Sequence, residues 1–229
     1  EISECLVGSE MCIRDSDNPL KCIIYEVCYR RRRDMDIKVD HISKAYGEQQ
    51  VLQDLSCVFP EGKTTCIRGR SGCGKTTLIR LLLRLDVPDK GKIEGVSDRK
   101  LSAVFQEDRL CENLSAASNI RLVCTETITD RELEEAYKAV ALTEIWQKPV
   151  RELSGGMRRR VSILRALLAE SDCVIMDEPL RGLDEKTRAK TIDYILKKTE
   201  GKTLIFVTHE EKEAVWLKAD RTVDILTKH

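Results

Sequence analysis

The chain has 229 residues, with 39 basic and 39 acidic side chains and a net charge of zero. That balance argues against a nucleic-acid binder that relies on a broad basic face, and the length suits one domain with a sizeable core or one domain with a small insert. No segment contains the roughly 18 to 20 apolar residues that span a bilayer, so a membrane function would need a second chain.

Residues 1–34 do not share the regular patterning of the remaining chain. They contain four of the ten cysteines, no clear hydrophobic period, and four arginines at 30–33, just before Met35. Residues 5–15 resemble translated sequencing-adaptor text, and purine-rich ribosome-binding sites encode arginine pairs when read in frame. We therefore predict that translation starts at Met35 and that residues 1–34 are a non-native extension. A disordered basic arm and a targeting peptide are the alternatives.

From Met35 onward, hydrophobic patterning predicts strands and helices in alternation. The predicted strands are 36–43, 51–59, 64–68, 101–105, 172–177, 203–208 and 222–227. The predicted helices are 75–85, 130–141, 155–170, 185–199 and 210–218, with a capping box of Thr129 and Glu132 and an N-cap at Asp184. The strands at 172 and 203 are apolar at nearly every position, as in a parallel sheet covered on both faces, whereas those at 36 and 51 alternate.

A glycine-rich loop joins the strand 64–68 to the helix that begins at Lys75, which is the context of a phosphate-binding loop. The loop amides and the helix N-terminus attract an anion. Lys75 is expected to reach the β- and γ-phosphates, and Thr76 to bind Mg²⁺; the alternative is a chance glycine turn. The residues expected to bind nucleotide here are Gly69, Arg70, Ser71, Gly72, Cys73, Gly74, Lys75, Thr76 and Thr77.

Acidic and imidazole side chains follow two of the buried strands. Asp177 and Glu178 end the strand 172–177, at the sheet edge where the phosphate loop also lies. We expect Asp177 to hold Mg²⁺ and Glu178 to be the general base for the attacking water; a simple acidic turn is the alternative. His209 follows the strand 203–208, and we expect it to contact the γ-phosphate and orient that water. A surface or capping histidine is the alternative.

These motifs predict the fold class. It is an α/β fold: a P-loop NTPase core with a mostly parallel sheet, an antiparallel β subdomain from the early strands, and a helical insert at about 107–170. The insert is expected to be nearly all helical.

A second helix start carries the residues Leu153-Ser-Gly-Gly156. Ser154, Gly155 and Gly156 would form another anion site at a helix N-terminus. One nucleotide already fills the first site, so we expect the second to act on the nucleotide of another subunit. The alternative is an ordinary Ser-Gly-Gly N-cap. Arg158, Arg159 and Arg160 follow, and we expect them on a solvated helix face.

Taken together, residues 35–229 resemble the nucleotide-binding subunit of ABC transporters, because the phosphate loop, the Leu-Ser-Gly-Gly run and the Asp177-Glu178 strand occur in this order. The resemblance implies that Tyr46 stacks on adenine and that Gln106 touches Mg²⁺ and senses a membrane subunit. It also implies that Asp184, at the end of the Gly182-Leu-Asp loop, lies at a dimer interface, where Ser154 and Gly156 contact the γ-phosphate held by the partner's Lys75. The residues expected to act in hydrolysis are Lys75, Gln106, Glu178 and His209.

Met157, where the family more often has Gln, and the run from Gln106 to Leu110 resemble the importers of nitrate, sulfonates, taurine or thiamine precursors. The resemblance implies a cytoplasmic ATPase on the inner face of the membrane, with ATP and Mg²⁺ as cofactors. Its partners would be a second copy, an integral membrane permease and a substrate-binding protein, with no nucleic acid. A soluble non-transport ABC ATPase and a regulatory interaction subunit are the alternatives.

Overall fold

The computed structural model describes residues 36–125, 128–143, 145 and 148–225. The chain divides into two units, Glu1–Asp34 and Met35–His229, and all described residues belong to the second. The prediction about residues 1–34 therefore lies outside the described part of the chain.

The described residues form strands and helices in an α/β order. The strands are β1 (Ile37–Tyr46), β2 (Gln49–Phe59), β3 (Thr64–Arg68), β4 (Lys90–Glu94), β5 (Leu101–Val104), β6 (Cys173–Asp177), β7 (Thr203–Val207) and β8 (Arg221–Asp224). The α-helices are α1 (Lys75–Leu82), α2 (Ala116–Arg121), α3 (Asp130–Ala139), α4 (Gly155–Leu168), α5 (Glu185–Lys198) and α6 (Glu211–Trp216), and a 3₁₀ turn covers Val150–Glu152. Within the described ranges, no helix is long and apolar enough to cross a membrane.

Five strands form a parallel sheet in the order β5-β6-β7-β3-β8, which confirms the predicted core. Strands β6 and β7 are buried at every position. Along β6, Val174 and Met176 pack into one hydrophobic cluster, whereas Cys173 and Ile175 pack into another. The side chains of a strand point alternately to the two faces of a sheet. Both faces are therefore covered, which explains why these strands are apolar throughout rather than alternating.

The two clusters divide the molecule into its layers. Leu78 and Ile79 of α1 share one cluster with Ile37 and Ile42 of β1, so the helix after the phosphate loop packs between the parallel sheet and the early strands. The other cluster contains side chains from α2 to α6, such as Leu133 of α3. One packed layer therefore covers each face of the parallel sheet.

The early strands form the predicted antiparallel sheet, in the order β2-β1-β4. Strand β4 was not predicted, because its sequence Lys-Gly-Lys-Ile-Glu offers only Ile93 as a partly buried apolar residue. Its pairing depends on β1 rather than on its own pattern, and Gly91 is needed there: with φ 79°, a Cβ would lie 2.4 Å from the carbonyl oxygens of Asp40 and His41. Such a close contact between the backbones of two strands produces no hydrophobic periodicity in the sequence.

The helices of the insert cover less of 107–170 than expected, because long connections separate α2, α3 and α4. The capping box of Thr129 and Glu132 at the start of α3 is confirmed. The connection before α2 is held by Asn119, which is fully buried. Its side chain accepts a hydrogen bond from the Cys111 amide and donates to the Cys111 and Ser115 carbonyl oxygens.

Replacing Asn119 with alanine is expected to lower the free energy of unfolding by about 2–4 kcal/mol, because a fully buried side chain is truncated and several backbone groups of the connection lose their partner at once. Urea-induced unfolding followed by circular dichroism measures the loss. Asn113→Ala is the matched control, since Asn113 is exposed and accepts one hydrogen bond, from Arg151; its loss should stay below about 1 kcal/mol. Equal losses in the two variants would contradict this role of Asn119.

Candidate active site

The phosphate loop runs from the end of β3 to the start of α1. Gly74 caps α1 in the left-handed conformation, with φ 97°, and a Cβ there would lie 2.5 Å from Leu52 of β2. The loop therefore needs glycine for both its turn and its close packing. The Lys75 ammonium donates to the carbonyl oxygens of Gly69 and Arg70, both at 2.8 Å. Lys75 is only 7% exposed, so the loop encloses its charge.

The remaining loop residues separate into an exposed and a buried group. Arg70, Ser71 and Gly72 are exposed. Cys73 and Thr77 are buried beneath the loop, and the Cys73 sulfur lies 3.9 Å from the Lys75 ammonium. A nucleotide that approaches from solvent thus meets Arg70, Ser71 and Gly72 before Cys73 and Thr77.

Thr76 and Asp177 come together although 101 residues separate them. The Thr76 hydroxyl donates to Asp177 Oδ2 at 3.0 Å, which joins the start of α1 to the end of β6. Asp177 is 3% exposed, and burial raises the pKa of its carboxyl above the usual value, an effect that the Thr76 hydrogen bond opposes only in part. A cation bound beside Asp177 would favour the ionised carboxylate.

The Thr76–Asp177 pair fits Mg²⁺. Hydroxyl and carboxylate oxygens are hard ligands, and Mg²⁺ is usually bound by one or two carboxylates together with substrate phosphates and waters. Among the described residues, no group of three or more His, Cys, Asp or Glu side chains is gathered to hold a metal ion. A hydroxyl and one carboxylate are protein ligands of the kind that a nucleotide-bound Mg²⁺ uses.

Glu178 follows directly, and its carboxylate lies between two side chains. Oε1 is 3.0 Å from His209 Nδ1, and Oε2 is 3.4 Å from Nη1 of Arg181. The Glu178 backbone has φ 49°, and its amide donates to the carbonyl oxygen of Val207 at the end of β7. A glutamate in this conformation is strained, and such strain persists where the surrounding structure holds it, often at functional sites.

The structure corrects the expectation that the arginines after the Ser154 turn lie on a solvated face. Arg159 is 4% exposed and Arg160 is 8% exposed. The Arg159 guanidinium binds the ends of both β5 and β6, through the carbonyl oxygens of Phe105, Gln106, Asp177, Glu178 and Pro179 and the carboxylate of Asp108. Desolvation lowers the pKa of Arg159, so these acceptors replace the water that the guanidinium loses.

A helical period would have revealed this burial. Ile163 and Ala166 follow Arg159 at i+4 and i+7 and are buried on the same side of α4. Arg160 shares the next row and donates to the carbonyl oxygens at the end of α3, including Ala141 at 2.7 Å. The arginine run 158–160 therefore extends onto the buried face of α4.

The Ser154 turn starts α4 at the surface. The Ser154 hydroxyl caps the Met157 amide at 3.3 Å, and Ser154 and Gly155 are exposed. A Cβ on Gly156 would lie 3.3 Å from the carbonyl oxygen of Gly182, so this helix start packs against the loop that leads into α5. In the described part of the chain, no hydrogen bond or ion pair connects the turn with the phosphate loop of the same subunit.

Three other expected residues make no hydrogen bond to the Asp177 or Glu178 carboxylates within the described residues. Tyr46, at the end of β1, is 45% exposed, and its hydroxyl donates to Asp86 at 2.6 Å; this hydrogen bond is the main reason that the pKa of Asp86 falls to about 2. Gln106 is exposed, and its carbonyl oxygen lies 3.5 Å from Arg159 Nη1. Asp184 caps α5 by accepting from the Thr187 amide, which confirms the predicted N-cap.

Arg159→Met is expected to destabilise the chain by about 3–5 kcal/mol, because it leaves buried carbonyl oxygens and the Asp108 carboxylate without their donor. Arg159→Lys should recover only part of the loss, since an ammonium cannot reach acceptors on both strands as the guanidinium fork does. Urea unfolding provides the measurement. The neighbouring Arg158→Met, at a half-buried position, is the control, and an equal loss there would show that Arg159 has no special structural role.

Comparison with known proteins gives one consistent result. The sequence pattern of the family described as "ABC transporter" matches residues 52–181. An aliphatic sulfonates import ATP-binding protein of Pseudomonas aeruginosa is 35% identical over 204 residues, which cover 85% of this chain and 73% of that protein. A carnitine transport ATP-binding protein of Listeria monocytogenes is 36% identical over 208 residues, which cover 82% of this chain but only 52% of that protein.

Among solved structures, a dimeric ATP-binding cassette in a post-hydrolysis state, bound to ADP and Pi, matches with a TM-score of 0.73 and 27% identity. The match covers 82% of this chain and 94% of that chain. The family match and the relatives agree with the order of the motifs along the chain. The structural match agrees with the parallel sheet that brings these motifs together. This chain therefore belongs to the ABC transporter family, as an ATP-binding protein that hydrolyses ATP.

Proposed function

We propose that this chain is the ATP-hydrolysing subunit of an ABC importer, which pairs head to tail with a second copy around two Mg-ATP molecules and drives a membrane permease. The observation that carries the proposal is the edge of the parallel sheet. There the Lys75 loop, the Thr76–Asp177 pair and the Glu178–His209 pair meet, which are the parts that phosphoryl transfer to water requires.

Nucleotide binding uses the loop and the helix behind it. Amides of residues 69–77 and the N-terminus of α1 hold the β-phosphate, and Lys75 neutralises charge on the β- and γ-phosphates. Thr76 and Asp177 hold Mg²⁺, with Gln106 as a further oxygen ligand; when bound, the ion neutralises charge that develops on the phosphates. Tyr46 offers an exposed ring face for adenine, and its hydrogen bond to Asp86 fixes the ring.

Hydrolysis uses Glu178 and His209. The water oxygen forms a bond to the γ-phosphorus while the bond from that phosphorus to the β,γ-bridging oxygen breaks, and Glu178 accepts the proton that the water loses. His209 holds Oε1 of Glu178 at 3.0 Å, which orients the base, and its exposed side lies free to contact the γ-phosphate. Lys75 stabilises the departing ADP.

Pairing follows from the Ser154 turn. The start of α4 is an exposed anion site that makes no hydrogen bond to its own phosphate loop within the described residues. We assign Ser154, Gly155 and Gly156 to the γ-phosphate of the partner's ATP, and Asp184 to the interface beside it. The match to a solved dimeric cassette supports this arrangement.

Import is supported by the names of the relatives, which include sulfonate, carnitine and sulfate uptake proteins. The substrate we propose is a small anion, a sulfonate or a thiamine precursor, delivered by a substrate-binding protein. The permease contacts the surface around Gln106 and the insert, where Leu114 and Leu122 are exposed. The subunit then lies on the cytoplasmic face of the membrane, and its zero net charge gives no basis for binding nucleic acid.

Glu178→Gln is expected to keep ATP binding, since Lys75 and Thr76 are unchanged, and to lower kcat at least about 100-fold, the usual contribution of a general base. With hydrolysis blocked, ATP should trap a dimer that size-exclusion chromatography detects. Glu200→Gln, at an exposed carboxylate in the turn after α5, is the matched control and should behave as the wild type. A Glu178→Gln protein that stays monomeric with full turnover would refute both the assigned base and the paired mechanism.

A further inference from the structure

Both oxygens of the Glu178 carboxylate have a nitrogen partner. His209 lies at Oε1, and Arg181 lies at Oε2 at 3.4 Å. The carboxylate is 12% exposed, whereas the Arg181 side chain is 63% exposed. The mechanism proposed above gives Arg181 no task, although this cation lies in direct contact with the general base.

The backbone that carries Arg181 is linked to the Ser154 turn. Arg181 directly precedes Gly182, whose φ of 74° turns the chain towards α5. The Gly182 carbonyl oxygen is the atom that a Cβ on Gly156 would meet at 3.3 Å, so the loop and the helix start touch. The backbone next to Arg181 is therefore in contact with the helix start that, under the proposed function, takes up the partner's nucleotide.

We infer that Arg181 is a positioning residue that restrains the Glu178 carboxylate in the unpaired subunit and releases it when two subunits close. The inference rests on the proposed function, because the release needs the second subunit. A general base must present an oxygen to the proton of the attacking water, and while the ion pair persists the water competes with the guanidinium for Oε2. Since water screens an exposed ion pair, the restraint is weak and changes the rate by a small factor.

The test is the steady-state ATPase rate of the purified full chain. Arg181→Ala is expected to raise kcat about two- to fivefold, the range that an exposed ion pair supports, with KM for ATP unchanged within about twofold because no nucleotide ligand is removed. Arg181→Lys keeps the charge and should stay close to the wild-type rate. Arg131→Ala is the matched control, since Arg131 is exposed and has one ion pair, with Glu135; its kcat and KM should not change.

The outcomes separate this inference from the proposed function. If Glu178→Gln is inactive and Arg181→Ala has an unchanged or lower kcat, the restraint does not exist and the proposed function stands. A lysine variant as fast as the alanine variant also overturns the inference, because charge would then not hold the carboxylate. If Glu178→Gln itself retains activity, the proposed base is wrong and the inference falls with it. A faster alanine variant with an unaltered thermal midpoint supports the restraint over a general loosening of the fold.

Discussion

The buried guanidinium of Arg159 connects the parts of this molecule that have to act together. It belongs to helix α4, yet its donors bind the carbonyl oxygens where β5 and β6 end. Those strand ends carry Gln106 on one side and Asp177 with Glu178 on the other. Burying a cation costs several kcal/mol unless its hydrogen bonds are satisfied, so the fold can hold Arg159 only with both strand ends in place. The helix that begins with the Ser154 turn is thereby fixed to the catalytic edge by side-chain geometry as well as by packing.

The contacts of Arg159 connect the phosphate-loop edge of the sheet with the Ser154 turn. These two sites share no hydrogen bond within the described residues of one subunit. The parallel sheet fixes the phosphate loop and the carboxylates, because β3, β6 and β7 are hydrogen-bonded neighbours in one ladder. The Ser154 turn lies outside that ladder and reaches it through Arg159 and through the contact of Gly156 with Gly182. Energetic coupling of this kind needs an element with two arrangements that both sites can bias. Helix α4 with its N-terminal turn contacts both sites, through Arg159 and through Gly156, so under the proposed function it is the element to which this requirement applies.

The sequence predicts the parts of the site that follow from strand ends, and it does so for a physical reason. A buried parallel strand must be apolar, and the polar residue that follows it must lie at the carboxyl edge, so Asp177 and His209 can be placed without any contact being known. Strand β4 cannot be predicted in this way, because its residues pair through the backbone while most of its side chains remain in solvent. Arg159 is not a strand-end residue, and a charged side chain is expected at the surface; its helical spacing to Ile163 and Ala166 indicates burial, and acceptors distant in sequence make that burial tolerable. The site residues Tyr46, Gln106 and Asp184 depend on family resemblance, and their roles remain predictions.

The tasks proposed for Asp177 and Glu178 differ because the two neighbouring carboxylates have different surroundings. Asp177 ends the buried strand, 3% exposed, with the Thr76 hydroxyl as its only hydrogen-bond donor to the side chain among the described residues. A buried carboxylate of this kind gains most from a cation, which suits a metal ligand. Glu178 turns away from the strand through a positive φ, so its carboxylate leaves the ladder and meets His209 and Arg181 instead. A general base must accept and release a proton in every turnover, so the partners of its carboxylate must be able to dissociate from it. An imidazole and an exposed guanidinium satisfy this requirement, whereas the buried Asp177 carboxylate beside the Thr76 hydroxyl is suited to staying in place.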